Sequence, residues 1–283
     1  MSRSRRTTII AIIIIVIVLV GIIAYAVAGL AYAQTRVGRA DSTLGRVISH
    51  QHNLNSTFTD LNSKINSLSS SATFDPQQAR TLYDQFVISE TAAGVTNGQD
   101  DKSLASARAS LGEKELLTLI ARSSLDKEAT KIDHARKALS IAKTAEAGYV
   151  QDGQYFQMFF QVQVDFELVS TQVASADFAG ANATLTTMKT HVDKGLQLST
   201  APGLPSDLHS VMVDLGTLVI DFGKLLNAAA SNNDAGVIAA ENSVQADANK
   251  LGAYKLDTII AKIAAYYKPM FDEIDAEKAK ATA

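Results

Sequence analysis

Residues 37–72 read VGRADSTLGRVISHQHNLNSTFTDLNSKINSLSSSA. Val37, Ala40, Leu44, Val47, Gln51, Leu54, Phe58, Leu61, Ile65, Leu68 and Ala72 advance by alternating steps of three and four. This heptad stripe, with Gln51 its one polar member, predicts a helix that buries a single face. Followed backwards, the same phase passes through Ala33, Leu30, Ala26 and Ile23. One helix on the order of 90 Å long is therefore expected, from the N-terminal segment to about Ser70. The outward positions hold Ser, Thr and Asn rather than the Glu/Lys pairs that flank a dimer seam. The stripe is accordingly read as the first helix of an intramolecular bundle, in preference to a dimeric coiled-coil stalk.

Upstream, residues 9–33 read IIAIIIIVIVLVGIIAYAVAGLAYA, without one charge. A helix crossing the hydrocarbon core needs ~20 apolar residues, so a transmembrane anchor is expected at 7–33, with lipid as its partner through residues 9–33. Ala31-Tyr32-Ala33 fits a signal-peptidase site, but a signal h-region is usually ~7–15 residues, and a retained anchor is preferred. Arg3, Arg5 and Arg6 in the tail 1–6 favour a cytoplasmic N-terminus, with the rest of the chain outside the cytoplasm. Gly21, Ala24, Ala28 and Ala31 share one helical face, a feature that allows close approach of two membrane helices.

Downstream, the composition favours helix. Only four of the 283 residues are proline, 47% are hydrophobic, and there is no Trp and no Cys. Without Cys, disulfides, thiolate metal sites and a cysteine nucleophile are excluded. Beyond the three tail arginines the chain has 23 basic and 29 acidic groups, a poor match for nucleic acid.

The segment 34–72 is taken as a membrane-proximal heptad helix and 73–283 as a bundle of about six helices. Asp75-Pro76 provides an N-cap and a first-turn proline, and that helix is expected to end near Asn97-Gly98. A long helix is expected from Asp101 to Ala147, with a turn bracketed by Gly148 and Gly153. Residues 160–168 alternate like a strand, but Tyr155, Phe159, Val162, Phe166, Val169 and Val173 keep helical spacing. No second strand is available for pairing, so helix is preferred. Asp177 is read as a cap, Ala201-Pro202-Gly203-Leu204-Pro205 as a loop, and Ser206 as the cap of an amphipathic helix. A last helix from Ser231–Asp234 is expected to kink or end near Tyr267, ahead of Pro269. The turn at Ser175–Ala181 is echoed 56 residues later at Ser231–Val237. Both resemble, over these few residues, the turns of tetratricopeptide-type hairpins.

No reactive constellation emerges. His50 and His52 are two apart and face different sides of a helix, and no Glu stands three residues before any His. Glu113/Glu115 and Asp165/Glu167 are read as solvated helix faces. Phosphate loops, nucleophile elbows and zinc-protease helices are absent from the sequence. Tyr155, Phe156, Phe159, Phe160 and Phe166, in an aromatic-poor chain, are the candidate ligand or partner surface, weighed against a role as core.

The expectation is an all-α protein with an N-terminal transmembrane helix followed by an antiparallel bundle of long helices. In layout it is similar to the extracytoplasmic helical-bundle sensors of bacterial receptors. A non-enzymatic interaction or scaffold module is expected, without cofactor or metal, with a protein partner or homodimer. The alternative is a small-ligand sensor or solute-binding bundle.

Overall fold

The computed structural model describes residues 3–69, 74–113, 118 and 121–283, with side chains described from Ala26 onward except at 58, 61, 62, 65–69, 256 and 257. Among the described residues seven helices follow one another: α1 (Arg3–Ser69), α2 (Pro76–Gly112), α3 (Arg122–Ala174), α4 (Phe178–Leu198), α5 (Ser206–Ala230), α6 (Asp234–Gly252) and α7 (Leu256–Thr282). No strand occurs among the described residues. The protein is an all-α helical bundle. No helix is long and apolar enough to cross a membrane among the described residues, and most of the anchor expected at 7–33 lies outside those with described side chains.

Two compact units divide the chain: Met1–His52 with Asn97–Ile141 and Glu273–Ala283, and Asn53–Thr96 with Ala142–Asp272. In the first, Ala33, Ala40, Leu44 and Val47 of α1 are buried in one core with Leu104 of α2 and Ile132 of α3. The upstream extension of the stripe needs correction, because Leu30 is 45% exposed whereas Arg36 is 6% exposed. Arg36 tolerates burial because Nη2 donates to Tyr32 Oη (2.8 Å) and to Glu113 Oε2 (2.5 Å), and its guanidinium lies 4.3 Å from the Tyr32 ring centre. In the second unit α5 sends Leu208, Val211, Met212, Leu215, Leu218 and Val219 into a core shared with Val162, Val169, Leu185 and Met188.

Several expected boundaries move. α2 continues through Asn97-Gly98 to Gly112. Asn97 is buried and accepts a hydrogen bond from Gln51 Nε2, so it is an interior polar residue and not a turn. The long helix expected from Asp101 is therefore split between α2 and α3, and α3 runs on through Gly148 and Gly153. These glycines admit neighbouring rings: a methyl at 153 would sit 2.6 Å from Val87 Cγ2 and 2.9 Å from Phe86 Cδ1. Pro205, not Ser206, is the N-cap of α5, and it makes no side-chain cap bond.

The expected last helix is two helices, α6 and α7. Beyond Gly252 the chain turns, and Tyr254 Oη donates to buried Asp214 at 2.7 Å. Pro269 does not end α7. It is exposed, as is Ala265 one turn back, so water can satisfy the carbonyl that the proline leaves without a donor.

The two echoed corners share their construction. Ala176 and Asn232 both adopt positive φ, at 59° and 52°. Asp177 and Asn233 follow as N-caps, accepting from Gly180 N at 2.9 Å and Gly236 N at 3.1 Å. At either glycine a Cβ would collide with the capping side chain, which explains glycine at both.

Candidate functional site

The five aromatic residues proposed from sequence part company along α3. Tyr155 is fully buried, and its hydroxyl donates to Leu208 O at 2.9 Å. Phe159 and Phe166 pack against the same core, Phe166 edge-on to Phe222 at 5.2 Å. Phe156 touches that core too, but it also stacks on Tyr83 of α2 at 5.0 Å. Phe160 meets Tyr83 at 5.5 Å and Phe74 at 5.7 Å, and Phe74 is 46% exposed. The Phe156–Phe160 side is thus continuous with an exposed ring, and Phe159 meets Phe160 edge-on at 5.2 Å.

Beside this patch lies a group of buried acids that the sequence reading did not single out. On α2, Ala79, Tyr83, Phe86, Glu90, Ala93, Asn97, Asp100 and Leu104 advance in the same three-and-four rhythm as α1. All are buried or half-buried, so Glu90 points inward. It is 3% exposed, and its Oε2 has no hydrogen-bond partner. Glu146 of α3 acts on it electrostatically, and Glu146 Oε2 would lie 3.6 Å from a methyl at Gly94, one turn after Glu90. Asp152, 4% exposed, accepts from Tyr267 Oη at 2.8 Å through Oδ2, while Oδ1 has no partner.

Tyrosines wall the group. Tyr149 stacks on Tyr267 with ring centres 4.1 Å apart and meets Phe86 edge-on at 6.0 Å. Burial pushes the Glu90 carboxyl up to about 8, with the Glu146 charge adding to the effect. Burial likewise pushes Asp152 up to about 7, against the lowering influence of the Tyr267 hydroxyl. Tyr83 rises to about 12 through burial and then the Asp152 charge. Tyr149 and Tyr267 also rise, mainly through burial. Among these causes no Lys, Arg or His opposes Glu90 or Asp152, and burial disfavours the charged form of both.

Elsewhere three histidines take carboxylate partners. His50 Nδ1 lies 3.0 Å from Asp100 Oδ1, His134 Nδ1 2.6 Å from Glu277 Oε2, and His191 Nδ1 2.6 Å from Asp165 Oδ2. Asp165 is buried, which corrects its reading as part of a solvated face. It ends a chain in which Arg80 Nη1 donates to Gln161 Oε1 (3.0 Å) and Gln161 Nε2 donates to Asp165 (2.9 Å). Glu113 is also engaged, by Arg36, while Glu115 lies outside the described residues. Ser199 and His209 approach to 2.9 Å, but Ser199 Oγ donates to Leu196 O at 2.7 Å, so this pair closes the end of α4. Among the described residues no group of three or more His, Asp or Glu could hold a metal ion.

The signal that could have found Glu90 was its phase with the apolar stripe of α2; Asp152 shares the inward side of α3 with Tyr149 and Tyr155. Compared with known proteins, the chain matches no family model, no curated protein and no solved structure.

Proposed function

We propose that this protein is a membrane-tethered, non-enzymatic helical module, held by residues 9–33 with its bundle outside the cytoplasm, that works by contact with a protein partner or a second copy. The observation that carries this reading is the continuity of α1. One uninterrupted helix, Arg3–Ser69, takes an uncharged 25-residue run straight into the stripe buried in the first unit. Such an anchor is joined to its domain by helix rather than by a flexible linker, which suits a part that must be presented at a fixed place. The tail arginines support the orientation.

Alkaline extraction of native membranes tests the tether: the protein should stay with the lipid, and its release into the supernatant would overturn the reading. The absence of native Cys makes the side of the membrane directly measurable. A Ser170→Cys variant on exposed α3 surface should react with an impermeant maleimide in intact cells, and a Ser4→Cys variant should not. Crosslinking in the same membranes should recover a protein partner or a dimer, and a strictly monomeric, partnerless protein would count against the interaction role.

The half-buried Phe156–Phe160 patch beside exposed Phe74 favours a second reading, as a small-ligand sensor. Thermal-shift screening against metabolites checks it. No stabilisation by any of them would remove that reading and leave the first intact.

A further inference from the structure

We propose that Glu90, Glu146 and Asp152 form a proton-operated latch: with Glu90 and Asp152 protonated, α2, α3 and α7 keep the packing described above, and ionisation of these carboxyls loosens it. The case begins with unmet hydrogen-bonding capacity. Glu90 Oε2 and Asp152 Oδ1 are buried without partners, in side chains 97% and 96% removed from solvent. Buried oxygens of this kind are uncommon and call for an occupant or a role.

The surrounding packing favours the smallest occupant. Tyr267 fits against Gly148 and Gly203, and even a methyl at 203 would sit 2.8 Å from its hydroxyl. Tyr149 covers the other face of Tyr267 at 4.1 Å, and Gly153 is closed off by Phe86 and Val87. Around Asp152 and Tyr267, where one added methyl has no room beside the rings, an organic cation has none either, and a proton needs no cavity.

The groups facing Glu90 and Asp152 give no alternative neutralisation. From α2 comes Tyr83, from α3 Glu146, Tyr149 and Asp152, and from α7 Tyr267. Among the described residues bearing on Glu90 and Asp152 none is cationic. A proton on Glu90 removes one of two like charges, and a proton on Asp152 Oδ1 leaves Oδ2 free to accept from Tyr267.

The sign of the pH effect follows from the direction of the shifts. Both carboxyls titrate higher in the folded protein than in the unfolded chain, Glu90 at about 8 against 4.5 and Asp152 at about 7 against 3.8. The folded state therefore retains protons that the unfolded chain has released, and stability falls as pH rises across that window. The latch is closed in acid and opens towards neutral and mildly alkaline pH.

The test uses the full chain in detergent micelles, comparing backbone-amide exchange at about pH 5 and about pH 8 after correction for the intrinsic rate, with thermal unfolding alongside. Protection in 76–96 and 142–158 should fall at the higher pH, and the melting temperature should fall with it. The neutral isosteres Glu90→Gln and Asp152→Asn should each flatten that dependence, and the double variant should abolish most of it. Equal protection at the two pH values, or an unchanged pH dependence in the double variant, would overturn the proposal. Should the variants fail to fold, infrared difference spectra of the unmodified protein decide the matter. A protonated-carboxyl band still present at about pH 6 that is lost as pH rises through about 7 and 8 supports the latch, and its absence throughout refutes it. Neither result depends on the membrane tether.

Discussion

A methyl group added at position 148 would run into the hydroxyl of Tyr267, a ring that cannot easily retreat. Tyr267 is 1% exposed, bonded to Asp152, backed by Gly203 at φ +100° and covered by Tyr149. Gly148→Ala should therefore destabilise the protein by about 1–3 kcal/mol, the range for overpacking a filled interior, measured by urea unfolding. Gly45 on α1 gives the contrast, because a methyl there meets nothing within 4 Å. Gly45→Ala should stabilise by about 0.5–1 kcal/mol through helix propensity alone. Glu277 displays pH behaviour opposite to that of Glu90. Hydrogen bonds from Lys280, His134 and Lys137 hold its carboxyl down at about 2. Its contribution is present above the ordinary carboxylate value near 4.5 and is lost as pH falls towards 2. Glu277→Gln should lower the melting temperature at pH 7, and the difference from wild type should shrink progressively on acidification below about pH 4.5. A difference that stays constant down to acid would show that the three donors do not act through the carboxylate charge.

At the level of elements, the paired corners before α4 and α6 allow one substitution to be tried twice. Removing the caps, Asp177→Ala or Asn233→Ala, should each cost about 1 kcal/mol. Ala176 has the unfavourable positive φ, so Ala176→Gly should recover about 0.5–1 kcal/mol; denaturant midpoints of the three single variants check both statements. These corners were legible because everything that makes them lies within seven residues of chain. The Asp75-Pro76 start and the helical nature of 160–168 were legible for the same local reason. What escaped was information held by a second helix. Asn97-Gly98 looks like a stop signal until Gln51 supplies a partner for Asn97, and Gly148 and Gly153 look like a turn until Tyr267 and Phe86 claim the space above them. Glu90 and Asp152 look like surface acids unless their phase is followed along the apolar face. The Tyr155–Phe166 aromatics were found easily, but which of them face Tyr83 and which face α5 is decided by helices that join only in the fold.

For the molecule as a whole, the discontinuity of the two units determines which fragments can fold. The first unit draws on Met1–His52, Asn97–Ile141 and Glu273–Ala283, so no contiguous piece of the middle of the chain contains it. A fragment beginning at 74 deletes α1 and strips Leu104, Leu111, Leu125, Ile132 and Leu139 of the Ala40, Leu44 and Val47 side chains buried with them. Losing Leu44 and Val47 alone removes their transfer energy and leaves open space, each on the order of 1–3 kcal/mol, against a total stability of only about 5–15 kcal/mol for a domain. A fragment spanning 33–283 drops nearly all of the uncharged run but keeps this core complete. It should be recovered without detergent and unfold cooperatively, whereas 74–283 should bind a hydrophobic dye and exchange rapidly within 97–141. Its remaining unit also loses residues 53–69, so protection in 178–230, built on the α4–α5 core, is the internal reference for what survives. Equal protection of 97–141 in the two fragments would mean that the α1 stripe contributes nothing to that core, and its heptad pattern would then need a partner outside this chain.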